Sequence, residues 1–247
     1  MNDINSLNKF LGIFISLIII SLWFFSLKYC LFYDICGSKK IFLPFIIFIR
    51  TFLQTGLFIT AHDAMHETIF TENQKINCLI GSTSTTLYAF LMYKPLLVKH
   101  KLHHSYPSSA SDPDFYDGQK PIILSWYFKF MKSYFEPKQI WIVIGGISFV
   151  FALGYALNIS NLNLITFWIL PMILSSFQLF YFGTFLPHRR TVQGYIDRHC
   201  ARSTGYSAFW SFLACYHFGY HWEHHAYPNT PWYRLPLLRH NVPSSRI

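Results

Sequence analysis

The stretch His217-Phe218-Gly219-Tyr220-His221-Trp222-Glu223-His224-His225-Ala226-Tyr227-Pro228 decides how this chain is read. On a helix, residues three and four apart share a face, so His221, His224 and His225 project their imidazoles together. His217 is read one turn earlier on that face. Imidazoles crowded in this way repel one another if protonated, and neutral imidazole is the commonest metal ligand in proteins. A metal site is the economical explanation, provided that further ligands exist.

They do. His62-Asp63-Ala64-Met65-His66 places histidines at i and i+4, and His100-Lys101-Leu102-His103-His104 repeats the i, i+3, i+4 pattern. Nine of the twelve histidines fall in these three clusters, too many for one four-coordinate zinc. With no Cys-x-x-Cys pair beside them, they suit two transition-metal ions, and iron performing oxygen chemistry is the best match. His188 follows a long apolar run, while His199 and His240 stand alone and read as surface residues.

Composition fixes the surroundings. The 247 residues are 52% hydrophobic and 20% aromatic but only 13% charged, too apolar for an ordinary soluble domain. In such a chain a formal net charge of +9 points to a membrane protein with cationic loops. No nucleic-acid motif accompanies that charge, which excludes a nucleic-acid binder. Cys30, Cys36, Cys78, Cys200 and Cys215 are odd in number and scattered, so they read as reduced thiols, not a disulfide framework.

Four apolar runs, residues 10–32, 41–61, 141–157 and 164–186, suffice to cross a bilayer, which takes about 20 residues. The first is too long for a signal-peptide core and lacks a cleavage site. The second contains Arg50, costly there unless paired. Residues 158–163 form the tight loop between the last two runs, and its shortness disfavours glycosylation at Asn158-Ile159-Ser160. Pro187 is expected to end the last run, leaving His188 where the chain leaves the membrane.

The clusters must meet, so all must end on one side of the bilayer. The second run delivers His62 and His66 there, and the last, as the return leg of a hairpin, delivers His188. Residues 79–93 are apolar but too short to cross, and a crossing would carry His100 to the wrong side. They are read as an in-plane or half-buried helix. The expected fold is an all-α membrane protein: four transmembrane helices, in-plane helices and a histidine-rich cap. It forms one domain over residues 1–247, with flexible tails at 1–9 and 241–247. Most basic residues, among them Lys99, Lys101, Lys120, Arg189, Arg190, Arg198, Arg202 and Arg246, fall on the site side; Lys28, Lys39 and Lys40 lie opposite. The positive-inside rule then puts the metal site and both termini on the cytoplasmic face. Residues 105–118, rich in Pro, Ser and Asp, read as a loop.

The order His-x3-His, His-x2-His-His, His-x2-His-His between apolar spans resembles the membrane di-iron fatty-acid desaturase and hydroxylase superfamily. Longer segments narrow it: Thr60-Ala61-His62-Asp63-Ala64-Met65-His66, Ser111-Asp112-Pro113-Asp114-Phe115, Phe180-Tyr181-Phe182-Gly183-Thr184-Phe185-Leu186-Pro187-His188-Arg189, and Cys215-Tyr216-His217 onward to His225. These resemble the bacterial-type β-carotene ketolases, over residues 56–236. The resemblance implies a di-iron centre that activates dioxygen with two external electrons and hydroxylates β-carotene at ring carbon 4. A second hydroxylation gives a geminal diol, which loses water to a ketone. Both rings oxidised, β-carotene passes through echinenone to canthaxanthin, and hydroxylated rings lead towards astaxanthin. The chain carries no flavin, nicotinamide or haem motif, so a separate carrier such as a ferredoxin supplies the electrons.

The resemblance assigns His62, His66, His100, His103, His104, His221, His224 and His225 as iron ligands. His188 is the ninth, with His217 its competitor. Asp63, Asp114 and Glu223 are candidate acceptors orienting metal-bound imidazoles. Tyr88, Phe90, Trp126, Phe180, Tyr181 and Phe182 are candidates for lining an apolar channel for the polyene. Two other readings fit the same spacing: a fatty-acyl or carotenoid desaturase or hydroxylase on this scaffold, and a non-catalytic membrane metal-binding or transport protein. Transport wants polar groups through the midplane, whereas these clusters sit at span ends.

Overall fold

A computed structural model describes the backbone of residues 2–35, 37–118, 122–190, 194–195 and 197–239, and the side chains of all of these except 2–9, 38 and 39. The Lys39 side chain, Lys120, His240, Arg246 and the tail at 241–247 lie outside the described residues. Within them the regular structure is helical, with no strand. The helices are α1 (Asn2–Leu31), α2 (Leu43–Met65), α3 (Gln74–Ala89), α4 (Tyr93–Ser105), α5 (Ile123–Tyr134), α6 (Pro137–Ala156), α7 (Asn161–His188), α8 (Ala208–Cys215), α9 (His221–Ala226) and α10 (Leu235–Leu238). Cys30, Cys78, Cys200 and Cys215 are free thiols.

Among the described residues, four stretches are long and apolar enough to cross a membrane: Phe10–Leu31, Lys40–Met65, Pro137–Ala156 and Asn161–His188. They coincide with the four expected runs, the last two starting a turn earlier. Named contacts fix their directions. Phe10 stacks on Phe70 beyond the end of α2, while Arg50 of α2 bonds to Trp23 and Ser26 of α1, so α1 and α2 are antiparallel. Arg50 also reaches Phe167, and Thr55 reaches Ser175 and Gln178, so α2 and α7 run parallel. Both helices therefore end, with their histidines, on the same side. Helix α2 sits at the centre, with Leu57 and Ile59 fully buried.

Of the two forms expected for the short apolar segment, in-plane or half-buried, it takes the second: it dips inward without crossing. Asn77, near the start of α3, holds Phe70, just beyond the end of the second span, whereas Tyr88, near the end of α3, lies beside Gln54, halfway along that span. The chain then reverses at Phe90, a left-handed cap (φ 54°), and α4 carries His100, His103 and His104 back out. Irregular backbone at that depth needs internal hydrogen-bond partners, because lipid offers none. Two glutamines provide them. Gln54 donates to the Tyr88 carbonyl at 2.5 Å and accepts from the Trp23 indole at 2.6 Å. Gln139 donates to the Phe90 carbonyl at 3.0 Å and accepts from the Met92 amide at 2.9 Å.

Prolines shape α7. Pro171 has no N–H for the carbonyl of Phe167 four residues back. That turn widens into a π-helical segment, Ile165–Ile169, and Arg50 Nε donates to the freed carbonyl at 3.0 Å. This supplies the buried arginine with the partner that the sequence left open. Pro187 follows a second π segment, Tyr181–Phe185, in the same way. It does not end the span, as expected from sequence: the widened turn accommodates its ring, and the helix continues through His188.

Candidate metal centre

Four helices deliver the imidazoles. Helix α2 presents His62 and, at its cap, His66; α4 presents His100, His103 and His104; α7 ends on His188; and α9 presents His221, His224 and His225. Tyr227 leaves the helical region (φ −132°, ψ 63°) before Pro228, which disfavours a helical residue ahead of it and confines α9 to six residues. Two groups form. His62, His66, His100, His104 and His224 make one, and His103, His188, His221 and His225 make the other; within each, the ligand atoms lie within 4.8 Å of one another. The i, i+3, i+4 spacing lets α4 and α9 serve both groups, and His104 stacks on His225 across the boundary at 4.2 Å.

The geometry suits a cation between the nitrogens. Nε2 atoms face each other at 2.6 Å (His66 and His100), 3.0 Å (His104 and His224) and 3.1 Å (His225 with both His103 and His221). Ligands about 2.1 Å from a metal at right angles stand ~3 Å apart. His62 Nε2 and His188 Nε2 are buried without a partner. Outside the membrane spans, burial holds His66 down at about 4, and burial with neighbouring imidazoles holds His100, His104, His221, His224 and His225 well below the ordinary histidine range. These rings are therefore neutral near pH 7, the form that binds metal.

The outer hydrogen bonds orient the rings. His188 Nδ1 donates to the Cys200 carbonyl at 2.8 Å, and His103 Nδ1 donates to Asp112 Oδ1 at 3.0 Å. Both leave Nε2 as the ligand atom; metal-bound histidines typically give their other ring hydrogen to a backbone carbonyl, as His188 does, or to a carboxylate, as His103 does. Burial works against ionisation of Asp112, but the His103 hydrogen bond and charge, with the Asp114 and Ser108 amides, hold its carboxyl below its usual value. Asp112 was not singled out by sequence; the turn that aims it appears only in three dimensions.

The three expected acceptors lie elsewhere. Asp63 is 3.9 Å from His62 Nδ1, beyond hydrogen-bond range, and accepts the Trp232 amide at 3.2 Å. Glu223 accepts from Arg239 at 2.7 Å and from Ser203, which anchors α9 to the chain around it. Asp114 Oδ2 is 3.8 Å from His103 Nδ1, and Oδ1 accepts the Tyr134 hydroxyl at 2.6 Å. Burial pushes Asp114 up to about 6, against the pull of His103.

His217 is not on the expected helix face. Tyr216 and His217 are both left-handed (φ 48° and 62°), so the chain turns before α9 begins. His217 stacks on Tyr220, packs near Phe212 and Trp232, and belongs to neither group. His199 also lies apart, beside Trp222.

A cavity of about 260 Å³ opens on the histidines: His62, His100, His103 and His221 form one end. Its walls are apolar, and it extends to Ile173, which is 53% exposed on the lipid-facing surface. Ile173 precedes His188 by fifteen residues, ~22 Å along the helix. Of the six aromatics expected to line a channel, Tyr88 does. Phe90 instead packs against Trp168, and Trp126 donates to the Asp114 carbonyl. Phe180 is enclosed among Tyr127 and Phe130, Tyr181 stacks on Phe185, and Phe182 packs beside Tyr206. Helix α5 supplies the wall that was missed: Tyr127, Phe130, Met131 and Tyr134, spaced i, i+3, i+4, i+7 on one face, a signal legible in the sequence.

Comparisons with known proteins agree with this architecture. The model of the fatty acid desaturase family matches residues 40–245. The chain is 41% identical over 191 residues to a beta-carotene ketolase of Paracoccus sp. (strain PC1), covering 76% of each chain. It is 40% identical over 194 residues to a beta-carotene 4-ketolase of Protosiphon botryoides, covering 76% of this chain and 49% of that one. It is 35% identical over 232 residues to a zeaxanthin 4-ketolase of Chlamydomonas reinhardtii, covering 93% and 51%. No solved structure matches.

Proposed function

The chain belongs to the fatty acid desaturase family, alongside the β-carotene ketolases within it, and from that premise we propose that it is a di-iron carotenoid 4-ketolase. The observation that carries this reading is the apolar cavity that runs from the lipid-facing surface to two adjoining groups of buried and half-buried imidazoles. His62, His66, His100, His104 and His224 would hold one iron, and His103, His188, His221 and His225 the other. Bound there, the irons would supply activation of dioxygen, with two electrons per turnover from an external carrier such as a ferredoxin.

The chain's own residues do the rest. At about 260 Å³ the cavity is at the small end for ligand pockets, so it admits one ring end while the polyene remains towards the lipid. Phe58, Phe130 and Phe218 exclude water around the ring and leave its allylic methylene facing the histidine end. The Cys200 carbonyl and Asp112 fix His188 and His103 in the ligand tautomer. Hydroxylation at carbon 4, a second hydroxylation there and loss of water give the ketone. Repetition on the other ring takes β-carotene through echinenone to canthaxanthin, and a ring already hydroxylated is carried towards astaxanthin. The protein acts as one integral-membrane domain with its site and termini at the cytoplasmic face.

The test is pigment extraction from a β-carotene-producing host that expresses the chain. Echinenone or canthaxanthin is the expected product. Unchanged β-carotene beside new double bonds or hydroxyls in the fatty-acyl pool would replace this reading with the acyl-modifying one.

A further inference from the structure

Asp114 is a buried carboxylate whose apparent duty is already performed by another residue. The hydrogen bond to His103 Nδ1 belongs to Asp112, at 3.0 Å, while Asp114 stands 3.8 Å from that nitrogen. Yet Asp114 is only 9% exposed, and it lines the cavity at the end where His103 and His221 stand. A buried carboxylate is costly unless its oxygens are satisfied. It has about four lone-pair sites, and Tyr134 with Thr184 occupies two. The other tyrosine hydroxyls lining the cavity are each engaged by a serine: Tyr127 by Ser176 at 2.6 Å, Tyr88 by Ser175 at 3.3 Å. The cavity is thus apolar along its length and carries a strong acceptor with spare capacity at its histidine end. A hydrocarbon ring has no use for such an acceptor; a hydroxylated ring does.

We propose that Asp114 binds the alcohol intermediate: it accepts a hydrogen bond from the 4-hydroxyl of the once-oxidised ring and holds that carbon at the histidine end for its second oxidation. This deepens the ketolase reading and rests on it. In the first turnover the ring methylene, dioxygen, two electrons and two protons give the alcohol and water. In the second, the alcohol with the same co-reactants gives the geminal diol and water, and the diol then loses water to the ketone. Dioxygen is the oxidant, and the external carrier supplies the electrons in both turnovers. The hydroxyl formed in the first turnover is penalised in an apolar cavity unless it is paired. Asp114 supplies that pairing through a charge-assisted bond, which the starting ring cannot make.

The experiment gives the iron-loaded enzyme, with its electron supply, β-carotene and separately 4-hydroxylated β-carotene, and measures iron per chain alongside. In Asp114→Ala, iron content should match wild type, and kcat/KM for the alcohol should fall about tenfold or more relative to that for the hydrocarbon, so that 4-hydroxy product accumulates. Asp114→Asn keeps an oxygen for Tyr134 and exchanges the spare acceptor for a donor. It should shift the ratio the same way, and it serves if the alanine variant does not fold. An equal loss for both substrates, or iron lost from both variants, would overturn the proposal. If wild type converts neither compound, the ketolase reading itself fails, and this inference with it.

Discussion

His188 gives its Nδ1 hydrogen to the backbone carbonyl of Cys200 at 2.8 Å and so leaves Nε2 as a bare, buried lone pair facing three other imidazoles. His217, its competitor in the sequence, is stacked on Tyr220 and outside both groups. His188→Ala should therefore remove ketone formation and about half of the bound iron, one of two sites. His217→Ala should leave iron loading near wild type. Metal analysis of both purified variants decides it; iron retained without His188 and lost without His217 would reverse the assignment.

Asp112 and Asp114 are two residues apart but differ in what they touch. Asp112→Asn exchanges the carboxylate that orients His103 for a weaker acceptor. Loss of such an outer partner typically costs 10- to 100-fold in metal affinity, on the order of 1–3 kcal/mol. Competition with a graded chelator should show iron leaving Asp112→Asn far earlier than wild type. Retention equal to wild type would show that His103 needs no such partner.

Arg50 ties three helices: Nε to the Phe167 carbonyl at 3.0 Å, and Nη1 to the Trp23 carbonyl at 2.8 Å and Ser26 at 2.7 Å. Its guanidinium also lies 5.3 Å over the Trp23 ring. Arg50→Met should destabilise the protein by on the order of 3 kcal/mol, because it leaves buried acceptors unpaired. Iron per folded chain should not change, since no histidine is touched. Arg50→Lys should rescue little, because a point-like ammonium cannot reproduce the planar fork. A thermal unfolding curve in detergent that is unmoved by either change would contradict this.

Sidedness gives a further prediction. Spans α2 and α7 are parallel and both end on histidines, and the loops on that side carry most of the basic residues. A reporter joined after Ile247 should be active only in its cytoplasmic form. Activity on the far side of the membrane would invert the orientation.

Much of this was legible because two periodicities speak plainly. Spans declare themselves by length, and helical ligand sets by i, i+3, i+4 spacing, so the residues of both histidine groups could be named from sequence. What failed was whatever depended on where the chain turns. His217 looks helical until two left-handed residues intervene. Glu223 looks like a partner for its neighbouring histidines until Arg239, sixteen residues on, takes it. Asp112 and Asp114 are indistinguishable as letters, and only the loop's fold sets one at 3.0 Å and the other at 3.8 Å from the same nitrogen. The aromatic wall of α5 is readable from its i, i+3, i+4, i+7 spacing, yet of the six aromatics expected to line the channel only Trp126 lies on α5, and it faces the Asp114 carbonyl and not the cavity.

The inward dip of α3 and α4 constrains how the protein is made. The bend at Phe90 and Met92 has its backbone groups satisfied by Gln139, which lies 47 residues beyond Met92 in the chain. Until α6 enters the bilayer, that bend would leave a carbonyl and an amide unpaired in lipid. During synthesis the middle histidine cluster must therefore wait at the membrane surface and is drawn into position only as the third span arrives. His188 and the final cluster emerge later still. Both histidine groups are therefore complete only once the last cluster has joined the others, which places any metal capture at the end of biogenesis.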